Sequence, residues 1–275
     1  TVVRCELNRT AEKLKLLITT YLEPEYVERI QAVSNQVEVI NKPEWLPAPR
    51  YKNDHYSEIN PRTAEMEKEW QTLLKSADIL FDFDRTNLES LPELLQSTKW
   101  IQGSSAGIGQ MMEKYGFNES LAGIKITTAS GIHKKPLAEF VLMGILMHYR
   151  GFDKIQQFKQ DRIWDRYSTD DLEGKEVGII GLGNIGMEVA RLCKAAGMTV
   201  YGLDLVEKSE NIDRFFAPGE LANMLPHLST LVLALPLTAD SRRMLGKKEL
   251  FLLPKGALFV NISRGSVVDE SELIN

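Results

Sequence analysis

Three glycines in the second half of the chain have the spacing and context needed to bind a dinucleotide. The run Gly181-Leu182-Gly183-Asn184-Ile185-Gly186 directly follows a short apolar strand, 177–180, and precedes a helical pattern, 187–196. In such a turn Gly181 allows the tight bend, Gly183 lets the backbone approach a pyrophosphate, and Gly186 lets helix and strand pack closely. The start of the helix offers N–H groups and a partial positive charge to phosphates. The alternative interpretation is a glycine-rich turn between strand and helix that binds no ligand.

An acid and a base at later strand ends extend this hypothesis. Asp204 lies 23 residues after Gly181 at the end of strand 199–203, where a carboxylate can accept hydrogen bonds from both adenosine-ribose hydroxyls. Its charge repels a 2′-phosphate, so NAD is favoured over NADP, although the nearby Lys208 weakens this preference. Arg264 follows strand 257–262, and a guanidinium there suits bidentate binding of a carboxylate. A solvent-facing charge at a strand end is the other interpretation of Arg264.

The elements around these residues predict parallel α/β sheets. In the first half, apolar strands alternate with helical patterns, which is typical of a parallel sheet. The predicted strands are 14–19, 37–40, 77–81, 99–102 and 125–128, the predicted helices are 24–32 and 62–75, and 41–61 is a proline-rich loop. In the second half, strands 230–235 and 257–262 join the two already named. Because ligands of such sheets bind beyond the carboxyl ends of the strands, Leu235, Pro236, Ser263 and Arg264 are further candidates.

The segment 136–149 is mostly apolar and predicts a long helix. A helix of this composition has to be buried on most sides, either between two domains or in a subunit interface.

Composition limits the function classes. The chain has 275 residues with 43% hydrophobic residues, so we expect one large globular domain or two ordinary ones. A net charge of −5 argues against a nucleic-acid partner. The two distant cysteines, Cys5 and Cys193, form neither a metal-ligand nor a disulfide pattern. No apolar run approaches the about 20 residues a bilayer requires, and the cytoplasm is therefore the expected location.

These motifs resemble the D-isomer-specific 2-hydroxyacid dehydrogenases. The similarity lies in LEGKEVGIIGLGNIG (172–186), LALPLTADSRRML (233–245) and LPKGALFVNISRGSVVDESEL (253–273), with weaker matches at KWIQGSSAG (99–107) and PLAEFVL (136–142). The resemblance implies a flavodoxin-like substrate domain, residues 1–131, and a Rossmann doubly wound NAD-binding domain, residues 132–275. It also implies a homodimer with the long apolar helix near its interface, and hydride transfer between nicotinamide and C2 of a small D-2-hydroxy acid or 2-keto acid.

The resemblance also assigns roles to individual residues. Arg264 would hold the substrate carboxylate and polarise its carbonyl, and the loop Ser104-Ser105-Ala106-Gly107 would offer backbone N–H groups to that carboxylate. The residues implied to contact the cofactor are Gly181, Gly183, Asn184, Ile185, Gly186, Asp204, Leu235, Pro236, Ser241, Ile262, Ser263 and Arg264. No metal site is expected.

One part of the family's pattern lies outside the sequence. The general-acid histidine and its partner glutamate follow the arginine signature in the family, whereas this chain ends eleven residues after Arg264. None of His55, His133, His148 and His227 occupies that position, and Glu270 is too close to Arg264 to be the glutamate. Since the sequence also lacks an initiator Met, we expect a longer protein, with a shortened fragment as the alternative.

Two other functions stay open at this stage. One is a non-catalytic, NAD-sensing binding protein of the corepressor type that is related to this family. The other is a site for a different nucleotide or an S-adenosyl group, which would leave Arg264 without a role.

Overall fold

The computed structural model describes residues 13–52, 54 and 62–274, and the chain divides into two compact units. The first unit is Thr1–Ser130 and the second unit is Gly131–Asn275. Cys5, His55 and part of the proline-rich loop (53 and 55–61) lie outside the described residues.

The first unit contains a five-stranded parallel sheet with helices between its strands. The strands are β1 Leu14–Ile18, β2 Val37–Ile40, β3 Ile79–Phe81, β4 Trp100–Gly103 and β5 Lys125–Thr128. The helices are α1 Pro24–Gln31, α2 Ala64–Ser76, α3 Leu91–Leu94, α4 Gly109–Lys114 and α5 Phe117–Ser120, and Pro43–Trp45 forms a 3-10 turn. The strand order β2-β1-β3-β4-β5 is that of flavodoxin-like sheets.

Helix α2 shows how the sequence builds this unit. Its N-cap Thr63 accepts a hydrogen bond from the Met66 N–H at 3.3 Å, which satisfies one free donor of the first turn. Trp70 and Leu74 lie one turn apart and are fully buried, in contact with the core that contains Leu80 of β3. Burial of each such side chain stabilises the fold by about 1.5–3 kcal/mol.

The second unit contains a second five-stranded parallel sheet. Its strands are β6 Glu176–Ile180, β7 Thr199–Leu203, β8 Arg214–Phe216, β9 Thr230–Leu233 and β10 Leu258–Asn261. Its helices are α6 Lys134–Tyr149, α7 Phe152–Asp161, α8 Asn184–Ala195, α9 Leu221–Met224, α10 Lys247–Leu250 and α11 Glu270–Ile274. The order β10-β9-β6-β7-β8 is the Rossmann arrangement, whose order reverses at β6 and β9. The predicted class, α/β with one flavodoxin-like and one doubly wound sheet, is confirmed.

Helix α6 differs from the prediction in its burial. Ala138, Val141 and Ile145 are fully buried on one face, whereas Phe140 and Met143 on another face are 56% and 49% exposed. Within this chain α6 is therefore buried on one face only, and coverage of its other face by a second subunit stays a prediction. The reason is geometric: residues three and four apart form a single stripe, and that stripe alone packs on α8 and the sheet. Among the described residues, no helix is both long and apolar enough to cross a bilayer.

Candidate functional site

The glycine turn lies between β6 and α8, and two of its three glycines leave no room for a side chain. Gly181 has φ +93°, and a Cβ atom there would lie 2.7 Å from Cα of Leu235. A Cβ atom at Gly186 would lie 1.9 Å from the carbonyl oxygen of Gly181. At Gly183, by contrast, a Cβ atom would meet no atom of the described residues within 4 Å, and none of their side chains caps the N-terminus of α8. Gly183 and the first turn of α8 therefore form an open cradle that fits a pyrophosphate.

Asp204 is tied to this turn through hydrogen bonds to its carboxylate. Oδ2 accepts a bond from the Leu182 N–H at 2.6 Å, and Oδ1 accepts one from the Leu205 N–H at 2.6 Å. A carboxylate has about four acceptor positions, so lone pairs remain for hydroxyl donors. The ammonium group of Lys208 donates to the Leu182 carbonyl oxygen, which places a positive charge on the same turn. The acid and the lysine are thus both held at the glycine turn.

A cavity of about 310 Å³ opens beside the turn and Asp204. It lies at the carboxyl ends of β6, β7 and β9, where the doubly wound fold predicts a ligand. Six of the residues that the sequence analysis named line it: Gly181, Gly183, Asp204, Leu235, Pro236 and Ser241. Asn184 and Ile185 are in the first turn of α8, and Gly186 is buried there against the turn.

Ser241 is nearly buried and stabilises the wall of this cavity. Its hydroxyl donates to the Pro236 carbonyl oxygen at 2.8 Å and accepts from the Thr238 N–H at 2.7 Å. These bonds fix the segment that follows β9. Ser241 therefore shapes the cavity through backbone contacts as well as lining it.

The segment that follows β10 is held by hydrogen bonds from the last residue of that strand, and it contains Ile262, Ser263 and Arg264. The Asn261 side chain accepts from the Ser263 N–H at 2.9 Å and donates to the Arg264 carbonyl oxygen at 3.1 Å. The Arg264 guanidinium donates to the Ser263 carbonyl oxygen at 2.9 Å, and its residue is exposed. Within the described residues Arg264 forms no ion pair. Its charge is therefore available to a ligand, and its assigned role stays a prediction.

The loop predicted to bind a carboxylate follows β4 in the first unit. Ser104 is anchored by its hydroxyl, which donates to Oδ2 of Asp82 at 2.6 Å. The Gly107 N–H donates to the Ser105 hydroxyl oxygen at 3.1 Å, so this N–H is already engaged within the loop. In the part of the chain that the structure describes, the N–H groups of Ser105 and Ala106 have no hydrogen-bond acceptor. These two groups are the ones that the loop can offer.

The described histidines and the described cysteine are not among the residues that line this cavity. His133 occupies the N-cap position of α6, and His148 and His227 contact the rings of Tyr149 and Tyr201. Cys193 is fully buried in α8, and this burial raises the pKa of its thiol to about 12, as is typical of a structural cysteine. Glu270 is exposed at the start of α11.

Several residues of the cavity were not identified from the sequence. Three of them belong to the segment 233–245, which resembles the family's cofactor-contacting segment: Thr238, Asp240 and Met244. Their place in that segment could have identified them. Pro218 follows β8, a strand that the sequence pattern does not predict, and no motif in its neighbourhood indicates a site.

Comparison with known proteins places these features in a family. The family model described as "D-isomer specific 2-hydroxyacid dehydrogenase, NAD binding domain" matches residues 142–275. A glyoxylate reductase of Thermococcus gammatolerans is 33% identical over 164 residues, which cover 55% of this chain and 48% of the relative. A D-3-phosphoglycerate dehydrogenase of Escherichia coli is 31% identical over 156 residues, which cover 54% of this chain and 36% of the relative. The match thus spans about half or less of these curated relatives.

Solved structures share the fold over most of the chain. A D-isomer specific 2-hydroxyacid dehydrogenase family protein from Aeromonas salmonicida has a TM-score of 0.76 and 19% identity, with 96% of this chain and 77% of that chain covered. A D-isomer specific 2-hydroxyacid dehydrogenase from Xanthobacter autotrophicus, solved with NADPH and MES, has a TM-score of 0.72 and 21% identity. The match covers 96% of this chain and 76% of that chain. The second unit thus pairs the Rossmann strand order with a glycine turn, an acid after β7 and a matching family model. Residues 142–275 are thus identified as the NAD-binding domain of the D-isomer specific 2-hydroxyacid dehydrogenase family, whose members the chain resembles.

Proposed function

We propose that the protein is an NAD-dependent oxidoreductase that acts on a small D-2-hydroxy acid or the corresponding 2-keto acid. The observation that carries the proposal is the cavity at the carboxyl ends of β6, β7 and β9, where Gly181, Gly183 and Asp204 meet. In this proposal residues 132–275 bind the cofactor and supply Arg264, and residues 1–131 form the substrate domain.

The geometry of the turn favours NAD as the cofactor. The open approach at Gly183 and the uncapped start of α8 suit the pyrophosphate, and the remaining lone pairs of Asp204 suit the adenosine-ribose hydroxyls. Leu235, Pro236 and Ser241 line the cavity that the dinucleotide would occupy. When bound, the nicotinamide supplies or accepts the hydride, and the protein supplies binding, orientation and electrostatics.

The substrate carboxylate has two candidate partners of complementary chemistry. The exposed guanidinium of Arg264 can bind a carboxylate bidentately, and the Ser105 and Ala106 N–H groups can donate to an anion. A fixed positive charge beside the substrate carbonyl stabilises the negative charge that develops on its oxygen, which lowers the barrier to reduction. Arg264 is therefore proposed as the catalytic residue, and Ser105, Ala106 and Gly107 as the substrate-binding loop.

The relatives suggest which acids to test first. Their names, glyoxylate reductase and D-3-phosphoglycerate dehydrogenase, point to glyoxylate and phosphohydroxypyruvate, and hydroxypyruvate, which lacks the phosphate, is a third acid of the same class. All three carry a carboxylate next to an aldehyde or ketone carbonyl, which is the chemistry that Arg264 and the loop can recognise.

A homodimer located in the cytoplasm is also part of the proposal. Phe140 and Met143 of α6 and Phe152 and Ile155 of α7 leave apolar surface exposed, which a second copy would cover. Light scattering of the purified protein tests the homodimer, and a monomer at micromolar concentration contradicts it.

The function is tested by NADH oxidation with the three 2-keto acids, with protein expressed from its complete gene. Turnover of at least one acid supports the proposal. NADH binding without turnover of any acid contradicts the oxidoreductase function and favours an NAD-sensing protein. Equal affinity for NADH and unrelated nucleotides contradicts the cofactor assignment.

A further inference from the structure

Asp82 has an unusual backbone conformation and lies at the end of a strand in the first unit. It directly follows β3, its side chain is fully buried, and its φ is +69°. This left-handed region is uncommon for residues other than glycine, although Asp and Asn adopt it more readily than most. Such conformations persist only where the surroundings enforce them, and they cluster at functional sites.

The contacts of Asp82 all connect it to the adjacent strand end. Its main-chain N–H donates to the Gln102 carbonyl oxygen at 2.7 Å. Its carboxylate accepts from the Ser104 hydroxyl at 2.6 Å and, at 3.4 Å, from the Ser104 N–H. Among the described residues, Ser104 is the single side-chain partner of this buried charge.

A second buried acid two residues later has a different environment. Asp84 accepts bonds from the Trp70 indole at 2.9 Å, from the Thr86 hydroxyl at 2.6 Å and from the Asn87 amide at 2.8 Å. These contacts join α2 to the segment after β3 and account for Asp84 as part of the framework of the unit. Among the described residues Asp82 has no comparable network, and its carboxylate bonds to one residue, Ser104, the first of the loop Ser104–Gly107.

We propose that Asp82 is a positioning residue for substrate binding, acting through Ser104; this rests on the proposed function. Ser104 is held by Asp82, and the Gly107 N–H bonds to the Ser105 hydroxyl within the loop, so the free N–H groups of Ser105 and Ala106 belong to a short turn that is anchored at its first residue. A loop ordered before binding spares the ligand the entropic cost of ordering it. The buried charge is the stronger acceptor for the Ser104 hydroxyl, since hydrogen bonds to ionised groups are about twice as strong as neutral ones.

The proposal predicts an effect on substrate binding alone. Replacement of Asp82 by Asn keeps the side-chain shape and the tolerance for positive φ, but it removes the charge. The 2-keto-acid KM should rise about tenfold, with kcat within about twofold of wild type, because uniform binding is lost. The dissociation constant of NADH should not change, since Asp82 belongs to the first unit.

Two further variants separate positioning from stability. Ser104→Ala, on a partly exposed loop, should raise the same KM, and the double variant should be no worse than the poorer single variant because both act through one bond. Asp84→Asn is the matched control: it should lower the melting temperature and leave the KM unchanged. A lower melting temperature for Asp82→Asn with an unchanged KM, or additive effects of the two variants, would overturn the proposal.

Binding of oxalate to the NADH complex, measured by calorimetry, distinguishes this inference from the proposed function. Oxalate carries the carboxylates that the loop would bind but cannot be turned over as a 2-keto acid. Weaker oxalate binding by Asp82→Asn and Ser104→Ala supports the inference even if no keto acid is reduced. Equal oxalate binding by wild type and both variants, or no binding by the wild type, overturns it.

Discussion

The carbonyl oxygen of Gly181 lies 1.9 Å from the position that a Cβ atom would take at Gly186. The start of α8 and the glycine turn are therefore packed backbone against backbone. Gly186→Ala should destabilise the second unit by about 2–3 kcal/mol, because a methyl group there forces the helix away from β6. Urea unfolding followed by circular dichroism measures this loss.

Gly183→Ala is the matched control for this packing. A Cβ atom at Gly183 would meet no atom within 4 Å, and its backbone is extended at φ −71°. We expect a stability within about 0.5 kcal/mol of wild type and weaker NADH binding, because the methyl group enters the space proposed for the pyrophosphate. Equal destabilisation by the two substitutions would contradict the distinction between packing and ligand approach.

Asp204 and Lys208 should set the choice between NADH and NADPH. Asp204→Asn keeps an acceptor for the Leu182 N–H and removes the charge that repels a 2′-phosphate. We expect NADPH affinity to rise and NADH affinity to fall, each about tenfold, because a charged hydrogen bond contributes about 1.5–3 kcal/mol. Fluorescence titration of both dinucleotides measures the ratio of the two affinities.

Lys208→Met provides the opposite change at the same turn. It removes the ammonium group that donates to the Leu182 carbonyl oxygen. NADPH affinity should fall severalfold while NADH affinity changes less, since only NADPH carries the extra phosphate. An unchanged affinity ratio in both variants would show that neither residue contacts the adenosine ribose.

Arg264 should be needed for catalysis and dispensable for stability. The residue is exposed and bonds to the Ser263 carbonyl oxygen, so Arg264→Gln should change the unfolding free energy by about 0.5 kcal/mol or less. We expect kcat/KM for the 2-keto acid to fall about 10²–10³-fold, the loss typical of a removed donor to a developing oxyanion. Steady-state kinetics and NADH titration measure the two quantities separately.

Lys255→Gln is a suitable control because Lys255 is an exposed cation shortly before β10, at the opposite end from Arg264. Activity should be unaffected by this loss of charge. A similar decrease in both variants would indicate a general effect of net charge, and full activity of Arg264→Gln would remove the assigned catalytic role.

The sequence predicted those parts of the fold that depend on local patterns. Apolar strands followed by helical spacing predicted β6, α8 and β7, and the glycine spacing indicated the turn between them. Strand β8, Arg214–Phe216, was missed because three residues give no measurable alternation. The exposed face of α6 was missed because overall apolarity does not reveal which side chains find a partner.

The predictable part of the site was likewise its local part. Gly181, Gly183 and Asp204 follow strands at a recognisable spacing and line one cavity. The contact between Asp82 and Ser104 joins residues 22 apart in sequence, and it depends on the pairing of β3 with β4 and on the left-handed backbone at Asp82. No periodicity in the sequence encodes that approach, so a folded structure was needed to identify it.

Asp78 should make the first unit sensitive to acid. Its carboxylate accepts from the Lys99 ammonium at 2.8 Å and from the Lys15 N–H at 3.0 Å, and so links β1 to the start of β4. The Lys99 hydrogen bond, with the smaller Lys15 bond, lowers the pKa of Asp78 below its ordinary value of 3.8. A lowered folded-state pKa gives stability that is complete above the ordinary value and is lost as the pH falls through the folded value.

Asp78→Asn should therefore destabilise the first unit at about pH 7 by about 1 kcal/mol, a modest loss because Lys99 is exposed to solvent. The difference from wild type should shrink as the pH falls below about 3.8, where protonation removes the same charge from the wild type. Urea unfolding followed by tryptophan fluorescence suits this test, since Trp45 and Trp70 are buried in that unit.

Lys99→Met should reproduce most of the loss at neutral pH, because it removes the main cause of the lowered pKa. A difference between Asp78→Asn and wild type that stays constant with pH would show that the shape of the side chain, and not its charge, stabilises the link.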